Sequence, residues 1–482
     1  MTERSTTHPL RAALLGLVVL AVVAAGCSSK KSTAATTSTT AAAATTTTTA
    51  TSATAAVTVV APDPSGLADP SNFGQQTVVA VPKAGHPVVA FTYLKATGAT
   101  NGDQLDTAAY DPTAKAWKAP VTLATGTFTR NGTATVAMAA DPSTSTVALA
   151  YETEDASSTS TALKLAFSTD EGSTWTTDTV ATGDAENPAI AMAGGKVAVS
   201  YYSNQTSSQI DVAETPALSA TSTWTVTPAP VITGTQARDE QAGIAFDPAG
   251  TAHLAYNLAP DNGYDTVVAA WTVGASAAVK VFDSNNVQND SSVVGLGFKG
   301  SEAFIVSSLV NSSSPTAGAN EIFWLLTSSD DGATWSTASA IPPQTGASSP
   351  FSVSIAVTAA EVLLTYVPNG GSGGAACGEP SLALSTDLQH WTTCSPEGTT
   401  TANTPSIGSN EEPNDAAGPE GAFYAVFQNS SPGPGAPGGV LVWTQPPPSG
   451  SSGSSTTTTT SAGGSTTTTS SAGATTTTAA PG

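Results

Sequence analysis

Arginine is almost missing from this chain: Arg4, Arg11, Arg130 and Arg238 are the only ones in 482 residues. A pocket that grips an anion with several guanidinium groups cannot be assembled from the two that follow the first 26 residues. Basic residues as a whole are scarce, 14 Lys and Arg against 36 Asp and Glu, for a net charge of −22. Phosphate binding needs a basic track, so nucleic acid is excluded as a partner. Cysteine is limited to three residues and histidine to four. No EF-hand spacing, histidine cluster or G-x-S-x-G elbow occurs, so neither a particular metal nor serine-nucleophile chemistry is indicated. Charged residues make up only 10% of the chain, and the abundance of Thr, Ser, Ala, Gly and Val describes short strands and loops rather than helices.

Long apolar runs are also lacking. The longest, residues 12–23, follows Arg4 and Arg11 and ends in Ala24-Ala25-Gly26-Cys27. It falls short of the ~20 residues a membrane span needs and reads as the core of a signal peptide over residues 1–26. Residues 27–54 and 449–482 are little more than Thr, Ser, Ala and Gly. No hydrophobic period runs through them, which predicts a disordered stalk and tail around a folded region at 55–448.

Within that region one segment occurs twice, as Ser168-Thr169-Asp170-Glu171-Gly172-Ser173-Thr174-Trp175 and as Ser328-Ser329-Asp330-Asp331-Gly332-Ala333-Thr334-Trp335. A third copy, Ser385-Thr386-Asp387-Leu388-Gln389-His390-Trp391, keeps Ser, Asp and Trp but lacks the glycine. The residues suit a tight hairpin, with Asp accepting from turn amides, Gly taking a positive φ and Trp packing as the next strand begins. A wider repeat surrounds them. Apolar segments at 88–91, 147–151, 197–201, 252–256, 303–307, 362–366 and 423–427 recur about every 50 to 60 residues. Most follow an apolar strand and a turn, and most precede a polar loop, a third strand and a Trp-marked fourth strand at Trp117, Trp175, Trp224, Trp335 or Trp391. Four short strands at a fixed period predict an all-β propeller of four-stranded blades, seven in number, with six as the alternative. The seventh copy is one strand short, and residues 56–60 have no partner beside them. They are expected to complete the last blade and close the ring.

The repeated turn resembles the Asp-box of sialidases and other Asp-box propellers. The resemblance implies a structural part for Ser168, Asp170, Gly172, Trp175, Ser328, Asp330, Gly332, Trp335, Ser385, Asp387 and Trp391. A sialidase is further expected to hold its substrate carboxylate with three arginines, to carry an early Arg-Ile-Pro-type motif, and to use a Tyr nucleophile paired with Glu and an Asp acid/base. The motif is absent and the arginines are too few, so no position is carried over as catalytic. The sequence before Cys27 resembles a bacterial lipobox, with Ala24 where Leu is commoner. This implies a diacylglyceryl group on Cys27 and anchoring on the outer face of a membrane. In an exported protein Cys377 and Cys394, on either side of a hairpin, are expected to form a disulfide.

Strand parity separates two ends. The Asp-box turns join third to fourth strands and lie opposite the blade crossovers. Long loops at 95–104, 152–161, 259–264, 311–320, 368–379 and 428–438 gather at the crossover end, where propellers usually work. Crossovers meet the inner strands through polar pairs: Arg130-Asn131, Glu186-Asn187, Asp239-Glu240, Asn289-Asp290 and Asn414-Asp415. Arg130, Glu186, Asn187, Arg238, Asp239, Glu240 and Asp290 are therefore candidate ligand-binding residues around the channel mouth, for sugar hydroxyls or for a cation such as calcium. The plainer reading is that they start strands and meet water. The expected function is a monomeric, lipid-anchored propeller that binds a glycan or an envelope protein. The alternatives are a glycoside hydrolase with a non-standard carboxylate pair and an envelope assembly factor.

Overall fold

The second-strand segments are apolar without alternation, which is how a strand buried on both faces reads. In the structure, a computed structural model, Val88, Val89, Ala90 and Phe91 are all fully buried, and so are Val147, Ala148, Leu149 and Ala150. The structure describes residues 56–61, 73–93, 103–126, 136–154, 160–203, 208–237, 242–260, 267–283, 294–309, 322–337, 339–341, 348–369, 381–394, 414–429 and 439–447. The chain divides into two units, Met1–Ala50 and Thr51–Gly482, and all described residues lie in the second. Every regular element among them is a strand, and none is a helix able to cross a membrane.

The strands form seven antiparallel sheets, the blades of one propeller. Blade 2 shows the plan, with an inner strand Val136–Asp141, then Thr146–Glu154, Ser160–Ser168 and an outer strand Thr176–Thr182. Blade 7 is closed from the other end of the sequence. Ala56–Ala61 pairs antiparallel with Gly439–Gln445, Ala56 opposite Thr444 and Val59 opposite Leu441, and so supplies the outer strand. Trp117 of blade 1 donates to Thr58 Oγ1 at 3.1 Å and fixes that strand to the next blade. The inner strand of blade 7 is short, Asn414–Ala417.

Each pair of neighbouring blades shares an apolar cluster, and the seventh pair, blades 7 and 1, is joined through Val79, Phe91, Tyr424, Val426 and Val442. Burial of both faces is what makes the ring, since no blade has a free face on which to stop. Backbones approach closely at the hub. A Cβ on Gly243 would stand 2.6 Å from Leu296 N and 2.9 Å from Val294 O, so blades 4 and 5 meet there only because the residue is glycine.

Two details differ from the repeat read in the sequence. Trp175, Trp224 and Trp391 stand just before the outer strands rather than within them, and Trp335 precedes a short one, Ser339–Ala340. There they pack against the cluster shared with the preceding blade, as Trp175 does with blade 1 and Trp391 with blade 5. The outer strand of blade 1 is split into Ala116–Trp117 and Val121–Gly126, and the break falls on Lys118-Ala119-Pro120, where proline has no N–H for the ladder.

The end that carries the tight turns is fastened blade to blade. Gly85 N donates to Glu420 Oε1 at 3.0 Å between blades 1 and 7, and Lys83 Nζ lies 2.7 Å from Glu171 Oε1 between blades 1 and 2. Gly195 N donates to Asp141 Oδ2 at 2.6 Å, and Lys196 Nζ to Gly250 O at 2.9 Å. These bonds join turns far apart in sequence, so they hold the ring rather than the single blade.

Candidate functional site

All seven inner strands contribute to a cavity of about 190 Å³ at the hub. Its wall is uneven. Blades 2 to 5 offer Val136, Met138, Ile190, Ile244, Leu296 and similar groups, whereas the polar side chains, Gln76, Thr77, Ser354, Asn414 and Asp415, all come from blades 1, 6 and 7, beside Val78, Val353 and Ile355. The polar set centres on the short strand of blade 7, where successive side chains serve opposite neighbours. Asn414 Oδ1 accepts the N–H of Val79 on blade 1 at 3.1 Å. Asp415 turns to blade 6 and accepts the hydroxyls of Ser354 at 2.6 Å and Thr365 at 2.7 Å. Burial pushes the Asp415 carboxyl up to about 7, and the two hydroxyl bonds only partly offset it. A carboxyl poised there holds its proton near neutrality and can either donate or accept a hydrogen bond.

A second acidic group of contacts lies between blades 2 and 3. The strand Ala185–Ala193 carries an irregularity between Glu186 and Ala189, and Asn187 takes a φ of 52°. Asn tolerates the left-handed region better than most residues, and bulges of this kind re-aim the chain. Here the Asn187 N–H points at Glu152 Oε1 of blade 2, 2.5 Å away. Glu152, Glu186 and Asn187 are all buried. On the adjoining hairpin Asp211 is raised by burial, against a hydrogen bond from Gln209 Nε2 at 2.8 Å.

The structure thus separates the polar pairs of the sequence. Asn414 and Asp415 line the cavity, while Glu186 and Asn187 are buried in the wall between two blades and are not among the described lining residues. Arg130, Arg238, Asp239, Glu240 and Asp290 lie outside the described residues, as do Cys27, Cys377 and the side chain of Cys394. At least half of each long loop lies outside them too. Among the described residues no group of three or more His, Cys, Asp or Glu is placed to hold a metal ion. Ser354, Thr365 and Glu152 were not foreseen. Ser and Thr on a strand carry no mark, and a glutamate at a loop edge reads as solvated.

The repeated turns lie at the far end from this cavity mouth, each joining a third strand to its outer neighbour. Asp170 accepts the N–H of Thr174 at 2.8 Å and its hydroxyl at 2.7 Å, and Ser168 Oγ takes the N–H of Gly172 at 2.8 Å. Ser328, Asp330, Gly332 and Thr334 repeat these bonds within 0.1 Å. In the third turn Leu388 N donates to Ser385 Oγ at 2.9 Å, and Asp387 Oδ2 lies 2.8 Å from His390 Nδ1.

No family model matches the chain, and no curated protein matches it. Among solved structures it is similar to an α-L-arabinofuranosidase of Fusarium graminearum at 13% identity, covering 82% of this chain and 98% of that one with a TM-score of 0.44. It is similar to an ulvan lyase at 12% identity, covering 80% and 94%, with a TM-score of 0.45. It is also similar to the sialidase of Trypanosoma rangeli at 14% identity and a TM-score of 0.38, covering 62% of this chain and 52% of the sialidase, so about half of that protein's length.

Proposed function

We propose that this protein is held on the outer face of a membrane by lipid on Cys27 and binds a glycan through the crossover end of the propeller, without turning it over. The observation that carries the proposal is the wall of the hub cavity, whose side chains are apolar on blades 2 to 5 while blades 6, 7 and 1 add hydroxyl, amide and carboxyl groups beside Val78, Val353 and Ile355. A pyranose ring presents the same division, with C–H groups on its faces and hydroxyls at its edge. Such sites pair an apolar surface with a few placed polar groups. Two or more acyl chains anchor stably where one does not.

Hydrolysis is the second reading, and Asp415 is the observation that favours it, because a carboxyl raised to about 7 is what a general acid requires. A glycosidase needs a second carboxyl roughly 5–9.5 Å away. Among the described residues that line the cavity Asp415 is the only acid, so the partner would have to come from an acid outside that lining, for which Asp239, Glu240, Glu186 and Asp155 are the candidates. Screening the lipid-free protein against a glycan array and chromogenic glycosides separates the readings. Retention of a glycan without turnover, weakened at least tenfold in Asp415→Asn, is the expected result. Turnover abolished by Asp239→Asn or Glu240→Gln would replace binding with catalysis, and capture of an envelope protein with no glycan retained would replace the glycan. Anchoring is tested apart from this, by Cys27→Ser, which should release the protein from the membrane fraction.

A further inference from the structure

The tight-turn end holds a second cavity, of about 140 Å³, between blades 4 and 5. Trp271, Phe298 and Trp335 form its walls, exposed alanines such as Ala277 and Ala333 its mouth, and His253 with Thr272 its polar side. Both indole N–H groups are engaged, Trp271 Nε1 with Ala275 O at 2.9 Å and Trp335 Nε1 with Gly332 O at 3.0 Å. His253 is engaged on both nitrogens. Its Nε2 lies 3.1 Å from Asp247 Oδ2 and its Nδ1 3.3 Å from Thr272 Oγ1. Burial works to raise the Asp247 carboxyl, but hydrogen bonds from Thr251 and His253 outweigh it and keep the group ionised. A carboxylate only accepts, so in the neutral imidazole Nε2 carries the hydrogen and Nδ1 is a lone pair. In that tautomer Thr272 donates to Nδ1, and in either state of the ring Thr272 Oγ1 keeps a lone pair to offer a ligand.

We propose that this cavity binds a small monocyclic aromatic that carries one hydrogen-bond donor, of which phenol is the simplest, with the ring against Trp271, Phe298 and Trp335 and its O–H on Thr272 Oγ1. The size agrees, since an apolar protein cavity of about 150 Å³ takes up benzene. A monosaccharide fits badly, because its several hydroxyls would meet one acceptor and the rest would lose water without replacement. A divalent cation fits worse, as it needs several oxygen ligands. The same ring chemistry is offered by a free phenol and by a tyrosine side chain on a partner.

The test titrates the full-length protein with phenol and with toluene and follows the indole N–H resonances of Trp271 and Trp335. Phenol is expected to bind about tenfold more tightly than toluene, the worth of one neutral hydrogen bond. Thr272→Val should reverse that ratio in favour of toluene, because the phenol O–H then loses water without replacement, while toluene still binds. Ala277→Trp, at the exposed mouth, should stop both ligands with the unfolding midpoint unchanged, which keeps the test informative if the valine variant fails to fold. Equal affinity for the two rings in the wild type, no binding of either, or indole shifts that survive Ala277→Trp would overturn the proposal. N-acetyltyrosinamide decides the source. Binding at the affinity of phenol assigns the cavity to a partner's tyrosine, and its exclusion assigns it to a free molecule.

Discussion

Blade 5 ends its third strand near Asp330 at the rim, and blade 7 begins its inner strand near Asp415 at the hub, and the surroundings treat these two carboxyls in opposite ways. Asp330 is held at about 2 by the hydroxyl and N–H of Thr334 and the hydroxyl of Ser328. Asp415 also receives two hydroxyl bonds, yet burial lifts it to about 7. Hydrogen bonds favour a charge when water still reaches it, and they do not replace water that has been removed. At the rim a carboxylate is a structural acceptor. At the hub it is a group whose charge depends on what enters.

The largest expected effect tests the hub half of this contrast. An unfolded Asp titrates near 3.9, so between about pH 4 and pH 7 native Asp415 holds a proton that the unfolded chain has lost. Stability should therefore fall as the pH rises through this window, by on the order of 4 kcal/mol, and level off above it. Asp415→Asn does not titrate and should lose this fall. Urea midpoints of both proteins at pH 5 and pH 8 measure it, and parallel falls in the two would mean that Asp415 is ionised in the folded state throughout.

Glycine sharpens the contrast next. Gly243→Ala drives its new methyl into backbone atoms of blade 5 at 2.6–2.9 Å, which nothing at the hub can yield to, and should destabilise by about 3 kcal/mol. Gly172→Ala at the rim meets the methyls of Val88 at 3.0 Å with a φ of 83°. A side chain can shift there, so about 1–2 kcal/mol is expected. Chemical denaturation of both variants gives the comparison, and equal losses would remove the distinction between a rigid hub and a yielding rim.

Much of the wheel was readable before any coordinates. Strands buried on both faces are apolar along their length, so the segments from 88–91 to 423–427 announced themselves, and an unpartnered strand at 56–60 beside a blade one strand short implied closure. The site was readable only in part. A polar pair recurs where crossovers meet inner strands, and Asn414-Asp415 is one of the five, yet neither residue is among the candidates that the pattern suggests for ligand binding. The partners of Asp415, Ser354 and Thr365, lie 61 and 50 residues from it, a distance at which a single sequence has no local pattern to show. The same holds for Glu152 and Asn187, whose contact crosses between blades. Position relative to the ring, rather than residue type, decided which polar groups were buried.

The third turn offers a test of intermediate size, because it trades one of these principles for the other. Leu388, directly after Asp387, stands at a φ of 61°, as Glu171 and Asp331 do after their aspartates at 58° and 54°, yet it is buried in the cluster shared by blades 5 and 6. A left-handed leucine is strained by roughly 1–2 kcal/mol, and burying its side chain is worth roughly 1.5–3 kcal/mol. Leu388→Gly removes both and leaves a void, so a net loss of about 1–2 kcal/mol is expected from denaturant unfolding. A gain in stability would show that the apolar contact does not offset the strain, and that this turn survives through Asp387 alone.

The smallest effect belongs to Asp330 and has the sign opposite to that of Asp415. Its folded value lies near 2, below the ordinary 3.9, so the stability it confers is present above pH 4 and is lost as the pH falls toward 2. The group is exposed and screened, which keeps the contribution modest. Asp330→Asn keeps one acceptor oxygen, does not titrate, and should flatten the decline of the melting temperature between pH 5 and pH 2 while leaving the range from pH 5 to pH 8 as it was. The Asp415→Asn protein should do the reverse, with most of its change above pH 5 and the remainder between pH 4 and pH 5. A double variant should then show both changes added together, because rim and hub share no partner and sites that far apart couple weakly. Failure of that addition would mean that the turns and the cavity wall respond to each other, and that the two ends of the wheel cannot be treated as separate surfaces.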